Sequence, residues 1–228
     1  MRQLIIAFVL AVMVQVVPLP AVAQDAPKKD LKTITKAAEL GHPEAQYQLG
    51  TMYEHGEGGA GVHEVTAVLW YTQAAERGHA RAQEEMGTRY LTGQGVTTDI
   101  KKAEEFLTLS AEQGYARGQY RLAQLYSRGA RGVRKDHKKA IDWYTKAARQ
   151  GYAPAQYYLG GMYAMGRGVE VDRIEAYAWL ALAASQKYPK AIKSIESLGN
   201  ALNELEVTKG QALAKSYYKK YIEVSEEE

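Results

Sequence analysis

The stretch Ala147–Leu182, AARQGYAPAQYYLGGMYAMGRGVEVDRIEAYAWLAL, decides the fold, because the chain before it says nearly the same thing in the same order. Its hexad Gly151-Tyr152-Ala153-Pro154-Ala155-Gln156 is preceded by Gly41-His42-Pro43-Glu44-Ala45-Gln46, Gly78-His79-Ala80-Arg81-Ala82-Gln83 and Gly114-Tyr115-Ala116-Arg117-Gly118-Gln119, at intervals of 37, 36 and 37 residues. A period of this length is the signature of a solenoid built from two-helix units.

Each unit carries the same physical logic. Gly41, Gly78, Gly114 and Gly151 suit the left-handed position that ends a helix, and Pro43 sits where a missing N–H costs nothing. A first helix follows, with small residues, a Leu or Met and a Tyr at fixed offsets, as in Ala155, Leu159, Gly160 and Tyr163. Glycine in a helix interior costs about 1 kcal/mol relative to Ala, so Gly50, Gly87 and Gly160 at one register predict that another backbone packs close there. A glycine-rich turn then leads to Asp99, Asp136 or Asp172, each placed to cap a second helix, and Asp172 with Glu175 has capping-box spacing. That second helix carries an Ala pair and an aromatic residue, such as Trp143, Ala147 and Ala148. The first unit departs from the pattern: Ala60 takes the Val place and His63 the Asp place, so the loop 56–61 is expected to be the most mobile turn.

The flanks read differently. Arg2, the apolar run Leu4–Val17 and the triplet Ala21-Val22-Ala23 form a cleavable secretory signal, residues 1–23, too short for the roughly 20-residue span a bilayer requires. Residues 24–30 are a short disordered leader, and 31–186 hold an N-terminal capping helix and four repeats. Residues 187–222 read as degenerate C-terminal capping helices, with Lys187 in the glycine place, a turn over Glu204–Thr208, and then a helix bearing Ala212, Leu213, Tyr217 and Tyr221. Residues 223–228 are an acidic tail. The net charge of +3 implies no polyanion partner, and the absence of cysteine removes disulfides, thiol chemistry and a lipid-attached Cys.

With the pattern A-x-x-x-L-G-x-x-Y, G-x-G-V-x-x-D and A-x-x-W-Y-x-x-A-A-x-x-G in view, the chain from about Ala37 to Gln186 resembles the Sel-one-like repeats, longer relatives of tetratricopeptide repeats. The resemblance implies an all-α fold: a right-handed α/α solenoid of antiparallel helix pairs, capped by helices at both ends. It also implies a concave groove lined by the first helices, and adaptor or regulatory work.

Motifs that could carry chemistry are few. Gly56–Gly61 satisfies G-x-G-x-x-G but follows no strand, so it reads as an inter-helix turn. Ser216 and Lys219 satisfy S-x-x-K, a pairing found in penicillin-recognising enzymes, without its S-D-N and K-T-G companions. His42 and His79 lie a repeat apart, too far to share a metal, while His55 and His63 share the first loop with Glu54, Glu57 and Glu64. Tyrosine is the unusual count, seventeen against two Phe. If the first helices line a groove, as the resemblance implies, Tyr47, Tyr120, Arg121, Tyr157 and Tyr158 fall toward it, residue types enriched at binding hot spots. Tyr47, Tyr120 and Tyr157 also fit simple packing positions, which leaves Tyr158 as the clearest groove residue. The third unit is basic, with Arg131, Arg134 and Lys135 on its turn, and could meet an acidic protein surface or anionic lipid head groups.

The expected function is therefore an exported, non-enzymatic protein–protein interaction module, an adaptor, scaffold or regulator in the bacterial cell envelope. It would bind a protein or peptide partner, use no nucleic acid, metal or cofactor, and have no transmembrane anchor. Its expected location is the periplasm, with secretion beyond it left open. Two alternatives stand beside this reading: a cell-wall-active or β-lactam-hydrolysing enzyme using Ser216 and Lys219, and a structural subunit of an envelope complex.

Overall fold

The computed structural model describes residues 30–223. The signal, most of the leader and all but the first residue of the acidic tail lie outside the described residues. Those described form eleven α-helices with no strand among them, the one bridge being Ala130 with Val133. They divide into two compact units between Lys135 and Asp136.

The N-terminal unit holds α1 (Leu31–Glu39), α2 (Pro43–His55), α3 (Glu64–Glu76), α4 (Ala80–Thr92), α5 (Ile100–Glu112) and α6 (Ala116–Arg128), with a 3-10 turn Glu57–Gly59 between α2 and α3. The C-terminal unit holds α7 (His137–Arg149), α8 (Ala153–Met165), α9 (Arg173–Ser185), α10 (Pro189–Ala201) and α11 (Glu204–Tyr221). In the N-terminal unit each helix packs on the next, and α4 also meets α6. In the C-terminal unit α7 packs on α8 and α8 on α9, and α9 carries both α10 and α11. These contacts are those of an α-solenoid.

Helices α2 through α10 are each 13 residues long. Helices of that length are marginal alone in water, so packing holds them and their ends are set by caps. At the start, Asp99 accepts from the amides of Lys101 and Lys102, Asp136 from Lys139, and Asp172 from Ile174 and Glu175. His63, in the Asp place of the first repeat, makes no such side-chain bond. After the second helix of each repeat the chain turns through a left-handed residue, and at the fourth such turn that residue is Lys187, φ 60°, the only non-glycine with positive φ among the described residues.

At the interior helix glycines a side chain comes nearest, and at Gly87 and Gly160 a backbone carbonyl of the second helix lies close behind it, as the recurring glycine predicts. A Cβ on Gly50 would lie 2.7 Å from the Tyr71 ring, one on Gly87 2.7 Å from Leu107, and one on Gly160 2.9 Å from Leu180. The carbonyls of Ala103 and Ala176 come next, at 3.2 and 3.0 Å from the latter two positions. Absence of the Cβ thus makes a socket for the large residue of the second helix.

A further seam escapes a reading of apolar spacing. Gln46, Gln83, Gln119 and Gln156 are all buried, and each donates its amide to the carbonyl of the residue eight positions earlier, Ala38, Ala75, Ala111 and Ala148, at 3.1–3.2 Å. Those carbonyls stand at the end of the preceding helix, where each also accepts from the amide of the turn glycine, Gly41, Gly78, Gly114 or Gly151, at 2.9–3.1 Å, so the glutamine fills the second acceptor site. In two of the four the amide oxygen is bound within the repeat, Gln83 accepting from Gln113 at 2.6 Å and Gln156 from Gln186 at 2.8 Å, while Gln46 donates a second time, to Gln73 at 3.2 Å.

The end of the C-terminal unit corrects two expectations. Glu204–Thr208 is not a turn but the first part of α11, because Asn203 and Glu206 close a capping box, each side chain bonded to the other's backbone N–H at 2.9 and 3.0 Å. Glu175 closes no such box with Asp172; its carboxylate instead accepts from the Tyr217 hydroxyl at 2.7 Å. That bond, with Trp179 and Tyr217 rings 4.7 Å apart and Gly210 against Tyr177, seats α11 on α9. Among the described residues no helix is long and apolar enough to cross a membrane.

Candidate functional site

In the N-terminal unit the chemistry gathers around two charged residues of α4 that occupy apolar places. Glu84 stands in the column of Tyr47, Tyr120 and Tyr157, and Arg89 in that of Met52, Leu125 and Met162. Both are only 1% exposed. Buried charges persist only when paired and hydrogen-bonded, and the neighbouring helices supply the partners.

Glu84 receives Arg117 Nε at 3.1 Å, Arg121 Nε at 3.3 Å and the Thr88 hydroxyl at 3.0 Å. Burial nevertheless outweighs the two guanidiniums and pushes its carboxyl above the usual range. Arg89 donates to Glu54 on α2 and has Glu85 at 3.0 Å and Glu64 at 3.9 Å. Its alignment with Glu85 is too poor for a hydrogen bond, which leaves Nε and Nη1 without one. Its guanidinium lies 5.2 Å from the centre of the Tyr71 ring, whose hydroxyl donates to Glu54 at 2.6 Å. Burial first, then the bond to Glu54, pushes the Tyr71 phenol far up.

The sequence-derived candidates fall around this network. Tyr47 is half-buried, 5.6 Å from Tyr71 and stacked on His79 at 4.7 Å. His79 Nδ1 accepts from the Ala82 amide, so Nε2 carries the proton and donates to Glu44 at 2.9 Å. Tyr120 is 8% exposed and its hydroxyl accepts from Gln124, so it is mainly a packing residue. Arg121 is not a solitary groove cation, being tied to Glu84 and to Gln124. Arg131, Arg134 and Lys135 are exposed on a tight turn closed by two 2.9 Å bonds between Ala130 and Val133, away from any ion pair among the described residues.

In the C-terminal unit the structure does bring Tyr157 and Tyr158 together. Tyr158 stacks on Tyr144 at 5.6 Å and meets Tyr157 edge-on at 5.2 Å, while Tyr188 closes on Tyr157 at 5.4 Å. Tyr157 and Tyr158 remain partly exposed, which gives a platform of rings with polar tips. Ser216 and Lys219 are exposed on α11. The loop 56–61 joins two helices, and among the described residues no three His, Asp or Glu side chains converge as metal ligands.

Sequence reasoning missed Glu84 and Arg89, and it read Glu54 as a loop carboxylate and Arg117 as part of a basic patch rather than as their partners. Writing the four units under one another and asking which residue breaks its column would have found the first two. The N-terminal unit thus presents fixed guanidiniums at Arg117 and Arg121, and the C-terminal unit, by itself, half-covered rings at Tyr157 and Tyr158.

The model of the Sel1 repeat matches residues 43–79, 80–115, 116–152 and 153–188. The chain belongs to the Sel1 repeat family. A crystal structure of a Sel1 repeat protein from Oxalobacter formigenes is 38% identical with a TM-score of 0.66, covering 74% of this chain and 48% of its own. The chain thus spans about half the length of that relative. An immunity protein from Pseudomonas aeruginosa is 24% identical, with a TM-score of 0.49, 85% of this chain covered and 73% of its own. A protective antigen of uropathogenic Escherichia coli strains, which displays an SLR fold, is likewise 24% identical, with a TM-score of 0.43 and coverages of 85% and 57%. No curated protein matches the chain. Sel1 repeat proteins generally mediate protein–protein interaction, and the fold is typically a non-catalytic module.

Proposed function

We propose that this Sel1 repeat chain is an exported adaptor or regulator of the bacterial cell envelope that grips a protein partner along its first helices. The observation that carries the reading is the pair Arg117 and Arg121, whose side chains are 42% and 34% exposed while Glu84 holds both. An anchored guanidinium loses little further freedom when it meets a carboxylate, so such a pair is preorganised for acidic or amide-rich segments of a partner. The rings of Tyr157 and Tyr158 add apolar area with polar tips in the C-terminal unit. The N-terminal apolar run followed by Ala21-Val22-Ala23 supports export, and periplasmic work without any enzymatic step is the role assigned.

Affinity capture from envelope extract tests the site. Wild-type chain should recover one partner reproducibly, and Arg121→Ala and Tyr158→Ala should each reduce its recovery several-fold. Unchanged recovery with both variants would reject the first-helix assignment. Amino-terminal sequencing of the protein from fractionated cells tests the export, with Gln24 expected as the first residue of the periplasmic form.

A further inference from the structure

Three large apolar side chains of the first repeat lie in the open: Val62 at 69%, Val65 at 72% and Leu69 at 58% exposure. Val65 and Leu69 are one turn apart on α3, so they form a strip on one helix face. The same two places in the other second helices hold Lys101 and Glu105 in α5, Lys138 and Asp142 in α7, and Ile174 and Ala178 in α9. Two of the four are thus charged and solvated, and two are apolar. In α9 that face is largely covered: Ile174 is half-buried and every residue from Ala176 to Ala184, Ala178 among them, is buried, since α10 and α11 both pack on that helix. In α3 Val65 and Leu69 stay exposed among the described residues, although the adjacent Trp70 packs against the cluster of Ala38, Ala45 and Leu49.

The covering helix α11 shows what such a face accepts. It is an amphipathic helix whose other faces carry Lys209, Lys215, Lys219 and Lys220. The charge around α3 asks for the same kind of helix. Between Lys36 and Arg77 the sequence contains no Lys or Arg, yet it carries Glu39, Glu44, Glu54, Glu57, Glu64 and Glu76. Glu57, Glu64 and Glu76 are exposed, in the loop before α3 and at its two ends, Glu64 with one oxygen 3.9 Å from Arg89. A strip of two side chains with Val62 beside it in the preceding loop is far below the roughly 1,200 Å² that a stable interface between two copies buries, but it is wide enough for one helix.

We propose that the Val65–Leu69 face of α3 is a second docking surface, taken by an amphipathic helix of a partner protein that carries lysine or arginine on its flanks. It is independent of the Arg121 site, and Arg121→Ala should leave it intact.

Two synthetic helical peptides with one leucine stripe, spaced i, i+3, i+4 and i+7, test it: one flanked by Lys, the other by Glu. By fluorescence anisotropy the Lys peptide should bind the full chain, more weakly as salt rises, and at least tenfold more tightly than the Glu peptide. Val65→Lys with Leu69→Lys should lower that affinity at least tenfold while the melting temperature holds, since both residues are exposed. Lys138→Glu, on a charged face of another helix, should leave it unchanged. Equal binding of the two peptides, or binding indifferent to the double variant, would overturn the proposal. Two further results would overturn it by giving the face another occupant. One is a dimer in size-exclusion chromatography that the double variant dissolves. The other is a thiol introduced by Leu69→Cys that reacts slowly in the full chain but rapidly in a chain starting at Gln24, which would assign the face to the preceding segment.

Discussion

Column by column, α4 and α8 share one template, yet Glu84 stands where α8 has Tyr157 and Arg89 where it has Met162. In α8 the choices are apolar: Met162 is 4% exposed and Tyr157 packs on Tyr158 and Tyr188. In α4 the equivalent places are filled by charges that draw on Glu54 of α2 and on Arg117 and Arg121 of α6. The volume filled is similar, but the coupling is not. Methionine asks its neighbours only for space, whereas a buried guanidinium asks each for a particular atom in a particular direction. The second repeat is therefore the place where three successive first helices of one unit are made to hold one geometry.

The comparison breaks most directly at Arg89. Arg89→Ala should lower stability by about 3–5 kcal/mol, because it strips Glu54 and Glu85 of their buried partner. Urea unfolding measures it, and a cost below that of Met162→Ala, about 2–5 kcal/mol, would mean that the ion network holds little. Transplanting the apolar filling with Glu84→Tyr, Arg89→Met and Glu54→Ala, the α8 choice at that place being Ala164, should restore most of the loss, because no carboxylate that Arg89 paired across the helices is then left behind. Next in size, Gly87→Ala and Gly160→Ala should each cost about 1–3 kcal/mol, since both Cβ atoms would press on a leucine at under 3 Å. Similar values for the two would show that the sockets are common to both units while the fillings differ.

A smaller effect separates the repeats by pH. The Glu84 carboxyl titrates above its ordinary 4.5, so the folded chain holds that proton longer than the unfolded one. Its contribution to stability is therefore full below that value and lost as pH rises through the folded pKa. Glu84→Gln should flatten this part of the curve, so that wild type and variant, followed by urea midpoints from pH 4 upward, diverge in the variant's favour toward neutrality. Smallest of all, Lys187→Gly should stabilise the C-terminal unit by about 0.5–1 kcal/mol by relieving a left-handed lysine, visible as a rise in melting temperature.

The helix pairs were legible because each depends on signals that recur: left-handed glycines, Asp caps and small-residue seams. What recurs less was read less well. Glu204–Thr208 was read as a turn because polar residues cluster there, and only the reciprocal bonds of Asn203 and Glu206 reveal a helix start. The interior glycines pointed to a close approach, but whether a ring or a backbone fills the gap depends on residues such as Tyr71 that spacing alone does not pair with them. At the candidate site, Arg121 and Tyr158 stand out by type. Glu84 and Arg89 were hidden because each is a single exception in an otherwise apolar column, and exceptions carry no periodicity.

The buried glutamine of each repeat also governs how such a chain can lengthen. Because the donor and the carbonyl it serves both travel with the unit, duplication or loss of one whole unit re-forms the joint at its new neighbour, while a partial copy strands a polar atom in the interior. In α10 the glutamine column is occupied by Ile192, which has nothing to donate to the carbonyl of Ala184. One aliphatic side chain thus acts as a stop mark in the grammar of the array: growth by copying is permitted upstream of it, and the helices after it are free to fold back and close the end.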